Sequence, residues 1–158
     1  MDLPGLSAAI LIRRATEADL PAIVAMLADD HLGAAREDPS LPLAPGYLAA
    51  FAAIAADPNQ FLAVAERDGA VIGTMQLSVL PGLSYKGAWR GQIEAVRVAA
   101  AARGSGLGQR MIEWAIAQCR ARGCNLVQLT TDKSRKDAHR FYDRLGFRAS
   151  HEGYKLKL

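Results

Sequence analysis

The chain has 158 residues, 51% of them hydrophobic and 22% charged, which fits one compact domain with a real core and excludes disorder and low complexity. Its net charge of +3 divides unevenly, with −5 over residues 1–96 and +8 over residues 97–158; this suits an anionic partner on the second half and a cationic one on the first, or two solvated faces. No apolar run approaches the roughly 18–20 residues that span a bilayer, Asp2 stands where a signal peptide carries Lys or Arg, and no dense Lys/Arg stripe suits long nucleic acid, so the expectation is a cytoplasmic protein with neither membrane nor nucleic acid as partner.

Ala9–Arg14 reads as a first strand. Thr16 opens a helix to about Asp30, with Asp19 as a shortened capping box and Leu20, Ile23, Val24 and Leu27 at helical spacing. His31–Gly46 is punctuated by three prolines and two glycines and is read as a loop. A second helix covers Tyr47–Ala56. The period then changes to two: Phe61–Arg67 and Ala70–Leu80 are read as strands joined at Asp68-Gly69, and Trp89–Val98 as a further strand. Ser105–Arg122 is a long helix stopped by Gly123. Asn125–Thr131 follows as a buried-type strand, Ser134–Leu145 as a helix closed by Gly146, and Phe147–Leu158 as a last strand. The order β-α-α-β-β-β-α-β-α-β gives a mixed α/β layer with one parallel crossover, and thirty alanines favour closely packed helix faces. Cys119 and Cys124 form no C-x-x-C pair, and His31, His139 and His151 have no ligand spacing, so no metal site is expected.

The most informative stretch is Val98-Ala-Ala-Ala-Ala-Arg103-Gly104-Ser105-Gly106-Leu107-Gly108. A strand runs into a glycine-rich turn and a helix N-terminus, whose outward N–H groups and dipole cradle phosphate; Arg103 adds a fixed charge. Gly108 is followed by Gln109-Arg110, so the turn is not a Walker A loop. Position 109 or 111 would have to be glycine in a dinucleotide fingerprint, and these are Gln109 and Met111. What remains is R-x-x-G-x-G at Arg103, Gly106 and Gly108, and, further on, Ala138-His139-Arg140-Phe141-Tyr142-Asp143-Arg144-Leu145-Gly146-Phe147. Together these resemble the GNAT superfamily of acetyl-CoA-dependent N-acyltransferases.

That resemblance implies one N-acetyltransferase domain over residues 1–158, with a mixed, twisted sheet flanked by helices and splayed between its fourth and fifth core strands. It implies acetyl-CoA as cosubstrate. The backbone of Val96, Arg97 and Val98 would pair with the pantetheine arm and offer an N–H to the oxyanion, and the turn Arg103, Gly104, Ser105, Gly106, Leu107, Gly108 would hold the pyrophosphate. Tyr142 matches the general acid that protonates the departing thiolate, unless it serves only to pack beside Phe141 and Phe147. The family often has asparagine seven residues before that tyrosine; this chain has Arg135, which the resemblance assigns to a coenzyme A phosphate. Glu94 is the candidate base for the acceptor amine, since regular alternation sets it on the face of Val96, although a bulge would change that parity and a solvated glutamate is the alternative. Tyr85 and Trp89 with Asp29, Asp30, Glu37 and Asp38 could form a pocket for a cationic amine. The expected reaction is direct acetyl transfer to a primary amine, a small molecule in preference to a protein N-terminus; a non-catalytic acyl-CoA sensor of the same fold is the alternative. Pairing into a homodimer is left open by the resemblance.

Overall fold

The computed structural model describes residues 9–158; the residues before Ala9 lie outside that range. Strand β1 (Leu11–Arg14) leads through a 3-10 turn into helix α1 (Leu20–Ala28). Helix α2 (Pro45–Ala56) begins two residues earlier than expected, because Pro45 fixes φ at the first helical turn. Strands β2 (Gln60–Arg67), β3 (Ala70–Leu80) and β4 (Trp89–Val98) form a meander. Asp68 and Gly69 both adopt positive φ at the β2–β3 turn, as an Asp-Gly hairpin requires. Helix α3 (Leu107–Ala121), strand β5 (Cys124–Leu129) and helix α4 (Lys136–Arg144) complete the described elements.

The five strands lie in sequence order, antiparallel throughout except for the parallel pair β4–β5. Period-two alternation in β2 builds a core on each face. Ala63 and Ala65 turn toward α3, where Met75, Leu77, Ile93, Leu107, Met111 and Ala115 are buried with them. Val64 turns the other way, onto Leu20 and Ile23 of α1, with Phe51 of α2 against them. Alanine at 63, 65 and 115, each fully buried, lets α3 approach the sheet closely. Arg13, with salt bridges at 2.7 Å to both Asp19 and Glu66, ties β1 to the start of α1 and to β2.

Two features bear on the site. β5 pairs with β4 only from Trp89↔Cys124 to Ile93↔Leu129, so β4 runs on from Glu94 to Val98 with no strand on that side among the described residues. This is the expected splay between the fourth and fifth strands. The last strand expected, over Phe147–Leu158, does not form. Phe147 packs on the core, but residues 148–158 are all exposed and carry no ladder. Period-two sequence gives strand propensity, and a strand still needs a partner to pair with.

Candidate acyl-transfer site

The unpaired end of β4 is shaped by a bulge. Thr74 of β3 faces Arg97 and Gln76 faces Glu94, so Met75 alone spans Ala95 and Val96. Ala95 takes up the extra residue with φ 53°, a left-handed conformation that costs an alanine on the order of 1 kcal/mol. The bulge resets parity. Ile93, Val96 and Val98 all pack on the α3 side, while Glu94 is exposed and Arg97 reaches Asp30 at the end of α1. The alternation that put Glu94 on the face of Val96 is therefore corrected: Glu94 goes with Arg97, because Ala95 inserts one residue between the two runs.

Beside this strand end lies a groove of about 440 Å³. Val96, Arg97 and Val98 line it along β4, Asp29, Asp30 and His31 close it from the turn that follows α1, and Arg103 and Arg135 complete it. The structure thus brings together five of the residues singled out as cofactor-binding. At its end, Gly104 and Gly106 have φ of 76° and 80°, a backbone that L side chains adopt only with strain. Gly106 is the N-cap of α3, and Leu107, 1% exposed, anchors the first turn in the core. The first N–H groups of that 15-residue helix have no intrahelical acceptor and point away from it. Ser105 Oγ donates to the Ala102 carbonyl, bracing the turn.

Asp29 and Asp30 are the counter-ions of this groove, a role that sequence reasoning missed. Arg103 donates to Asp29 Oδ2 at 3.0 Å and Arg135 to Asp30 Oδ2 at 2.7 Å, across 74 and 105 residues of chain. Burial pushes the Asp30 carboxyl upward, but the Gly33 N–H, Arg135 and Arg97 outweigh it and hold the group below the usual carboxylate range. Arg97 is less well satisfied. Its Nε is buried without a hydrogen bond, and the Asp30 oxygen lies 3.5 Å away. Burial, together with the like charges of Arg135 and Arg36, presses its pKa below the ordinary arginine value against the pull of Asp30. Arg36, whose charge acts on Arg97, is a residue that sequence reasoning did not single out.

Tyr142 on α4 is half-buried, edge-on to Phe141 and Phe147 at centroid distances of 5.1 and 5.7 Å. Burial raises its pKa above the ordinary phenol value, with Arg97 and Arg135 pulling the other way. It is thus a protonated phenol at neutral pH beside the two arginines. The pocket grouping Tyr85 and Trp89 with the acidic residues is not formed. Trp89 lies eight residues before Arg97 on an extended strand, roughly 25 Å away, and Tyr85 is 84% exposed in a left-handed turn. Glu37 and Asp38 instead hold the loop, through Tyr47 Oη and Ser40.

The family model of the acetyltransferase (GNAT) family matches residues 21–147, and the chain belongs to that family. It is 38% identical over 101 residues to an aminoalkylphosphonate N-acetyltransferase of Salmonella typhimurium, covering 64% of this chain and 65% of that protein. It is 37% identical over 90 residues to a glucosamine 6-phosphate N-acetyltransferase of Trypanosoma brucei brucei, covering 57% and 59%. The matched stretch therefore spans about three fifths of each of these curated relatives. A solved structure from Bacillus halodurans C-125, described as a transcriptional regulator, superposes with a TM-score of 0.92 at 49% identity, covering 95% of this chain and all of that one.

Proposed function

We propose that the protein transfers the acetyl group of acetyl-CoA to the primary amine of a small molecule that also carries a phosphate or phosphonate. The observation that carries the second half of this reading is the half-buried Arg97 guanidinium, whose buried Nε has no hydrogen-bond partner and which is crowded by Arg135 and Arg36 against the carboxylate of Asp30. Such a group gains from a second anion. Coenzyme A phosphates have their own place at the Arg103–Gly108 turn, whereas Arg97 and Arg135 stand beside Tyr142, at the reacting end. Both curated relatives are named for amines that bear a phosphonate or a phosphate, which supports the same choice.

Acetyl-CoA supplies an activated acyl group as a thioester. The chain supplies the rest. The free side of Val96–Val98 offers backbone N–H and C=O groups to the pantetheine arm as a neighbouring strand would, and the glycine turn with the α3 N-terminus offers N–H donors to the pyrophosphate. Tyr142, kept protonated by burial, gives its proton to the departing thiolate. Glu94, on the face of Arg97, takes the proton of an amine whose anionic end is held by the arginines. The groove bounds the acceptor, and the reading is of a small molecule.

A panel of amines with and without a phosphate or phosphonate group tests this, with released thiol as readout. The phosph(on)ate-bearing amines are expected to have the higher kcat/KM. Arg97→Met raises their KM by about 10–100-fold, the loss of one charge-assisted hydrogen bond, and leaves the KM for acetyl-CoA alone. Equal rates for neutral amines, or a change confined to the acetyl-CoA KM, would reject the assignment of Arg97. Binding of acetyl-CoA without turnover of any amine would favour a sensor.

A further inference from the structure

The sheet face that carries Glu94 holds a polar row used neither by the core nor by the groove. Phe61, Leu77, Ile93 and Val127 pack on the α3 side, so alternation turns Gln60, Ser78, Gln92 and Gln128 to the other side. The register carries these side chains straight across the sheet: Gln60 is opposite Ser78, Ser78 opposite Gln92, and Gln92 opposite Gln128. One step along the strands, on the same face, Gln76 is opposite Glu94.

These side chains hold one another. Gln76 Nε2 donates to Gln60 Oε1 at 2.9 Å and Ser78 Oγ to the same oxygen at 2.8 Å, while Gln128 Nε2 donates to Gln92 Oε1 at 2.7 Å. Ser78 is 5% exposed, Gln60, Gln76 and Gln92 are half-buried, and Gln128 is exposed. A sheet face that merely meets water carries interspersed charges of both signs; this row carries none. Each amide also keeps one end free. Among the described residues, the NH2 groups of Gln60 and Gln92 and the carbonyl oxygens of Gln76 and Gln128 make no hydrogen bond. Donors and acceptors thus stand interleaved on a neutral floor roughly 14 Å across, three strand spacings, with Glu94 at its margin.

A hydroxyl group donates or accepts as its proton rotates, so a carbon skeleton bearing several hydroxyls satisfies both kinds of group at once. A plain alkyl chain laid on the same floor would displace water from those groups and leave them unpaired. We infer that this floor binds the hydroxyl-bearing body of the acceptor, which makes the acceptor an aminated sugar or polyol with its amine at Glu94 and its anionic group toward Arg97. The inference rests on the reaction proposed above for the amine and the anion, and adds the hydroxyls.

KM values for glucosamine 6-phosphate, glucosamine, 2-aminoethylphosphonate and ethylamine test it, with released thiol as readout. The parent protein is expected to have a KM lower by about tenfold or more for glucosamine 6-phosphate than for 2-aminoethylphosphonate. The double variant Gln92→Leu, Gln128→Leu removes both members of one pair, so neither amide is left facing a lost partner. It is expected to shrink that ratio by about tenfold, the worth of one or two hydrogen bonds. Equal KM values for the two anionic amines in the parent protein, with both still preferred to glucosamine and ethylamine, overturn the hydroxyl assignment and leave the phosph(on)ate reading standing. A double variant that raises both KM values by the same factor also overturns it. Glucosamine used as well as its 6-phosphate, and far better than ethylamine, keeps the polyol floor and overturns the phosph(on)ate reading instead.

Discussion

Gly91 is a point of close approach between α3 and the sheet, and adding one carbon there probes that contact. Gly91 lies within β4, opposite Val79 of β3 and Val127 of β5. A Cβ built on it would stand 2.2 Å from Cys119 Sγ, 3.4 Å from Cys119 Cβ and 3.7 Å from Leu77 Cδ1. Only the sulfur is in conflict, and it must retreat by about 1.5 Å to reach ordinary contact distance. Cys119 is 1% exposed, so the retreat displaces packed neighbours, and Gly91→Ala is expected to destabilise by about 1–3 kcal/mol. Cys119→Ala alone leaves a methyl-sized void and costs about 1 kcal/mol. In the double variant the added carbon occupies the space of the deleted sulfur, and the remaining 3.4 Å contact is tolerable. Urea unfolding of the four proteins should therefore give a favourable coupling of about 1–3 kcal/mol, with the double variant more stable than Gly91→Ala. Additivity within about 0.5 kcal/mol would refute the idea that one sulfur sets the spacing between α3 and β4.

Other outcomes follow from the site and from the α1 anchor. Tyr142→Phe should lower kcat by about 10²–10⁴-fold while acetyl-CoA binds as before; an unchanged kcat would reduce Tyr142 to a packing residue. Glu94→Gln should slow the reaction chiefly below the pKa of the acceptor amine, where a base is needed, and an unaltered pH–rate profile would remove Glu94 from the mechanism. Asp19 is held down to about 2 from the ordinary 3.8, first by its hydrogen bonds from Arg13, against the opposing effect of burial, and further by the Thr16 N–H. Because its folded pKa is depressed, its contribution is complete above the ordinary value and fades as pH falls from about 4 toward 2. At most about 2 kcal/mol is involved, so Asp19→Asn should lower stability at neutral pH and flatten the acid limb of chemical unfolding. A limb as steep as in the parent protein would place the acid sensitivity elsewhere.

Local chemistry made most of the domain legible in the sequence. The Asp68-Gly69 turn, the meander around it and the glycine turn before α3 were read from residues that determine their own backbone. Of the groove's arginines, Arg103 lies on a recognisable motif and Arg97 on the strand just before it, while Arg135 stands where the family often has asparagine and was assigned by the resemblance alone. Their counter-ions were not legible, because Asp29 and Asp30 meet Arg103 and Arg135 across 74 and 105 residues, and no periodicity encodes such a contact. The bulge at Ala95 was equally hidden. Alanine at positive φ is set by the register with Met75 and by the packing of Val96 and Val98, not by its own preference. The strand expected over Phe147–Leu158 shows the reverse case: the pattern was plain, while its partner is not a matter of pattern.

The two aspartates at the end of α1 also have a consequence for selectivity. Arg97, Arg103 and Arg135 are already ordered by them, so a ligand that engages these side chains does not have to immobilise them, a saving of about 0.5–1.5 kcal/mol for each. Preorganisation of this kind comes with competition. An incoming anion must outbid a carboxylate that is held below its usual pKa and stays ionised at neutral pH. A weakly basic monoanion gains little by the exchange, whereas a dianion with three acceptor oxygens can engage the guanidinium groups without wholly displacing Asp30. On the proposed reading of a phosphate- or phosphonate-bearing acceptor, the internal ion pairs act as a threshold on charge, holding the groove in shape for ligands that carry enough of it.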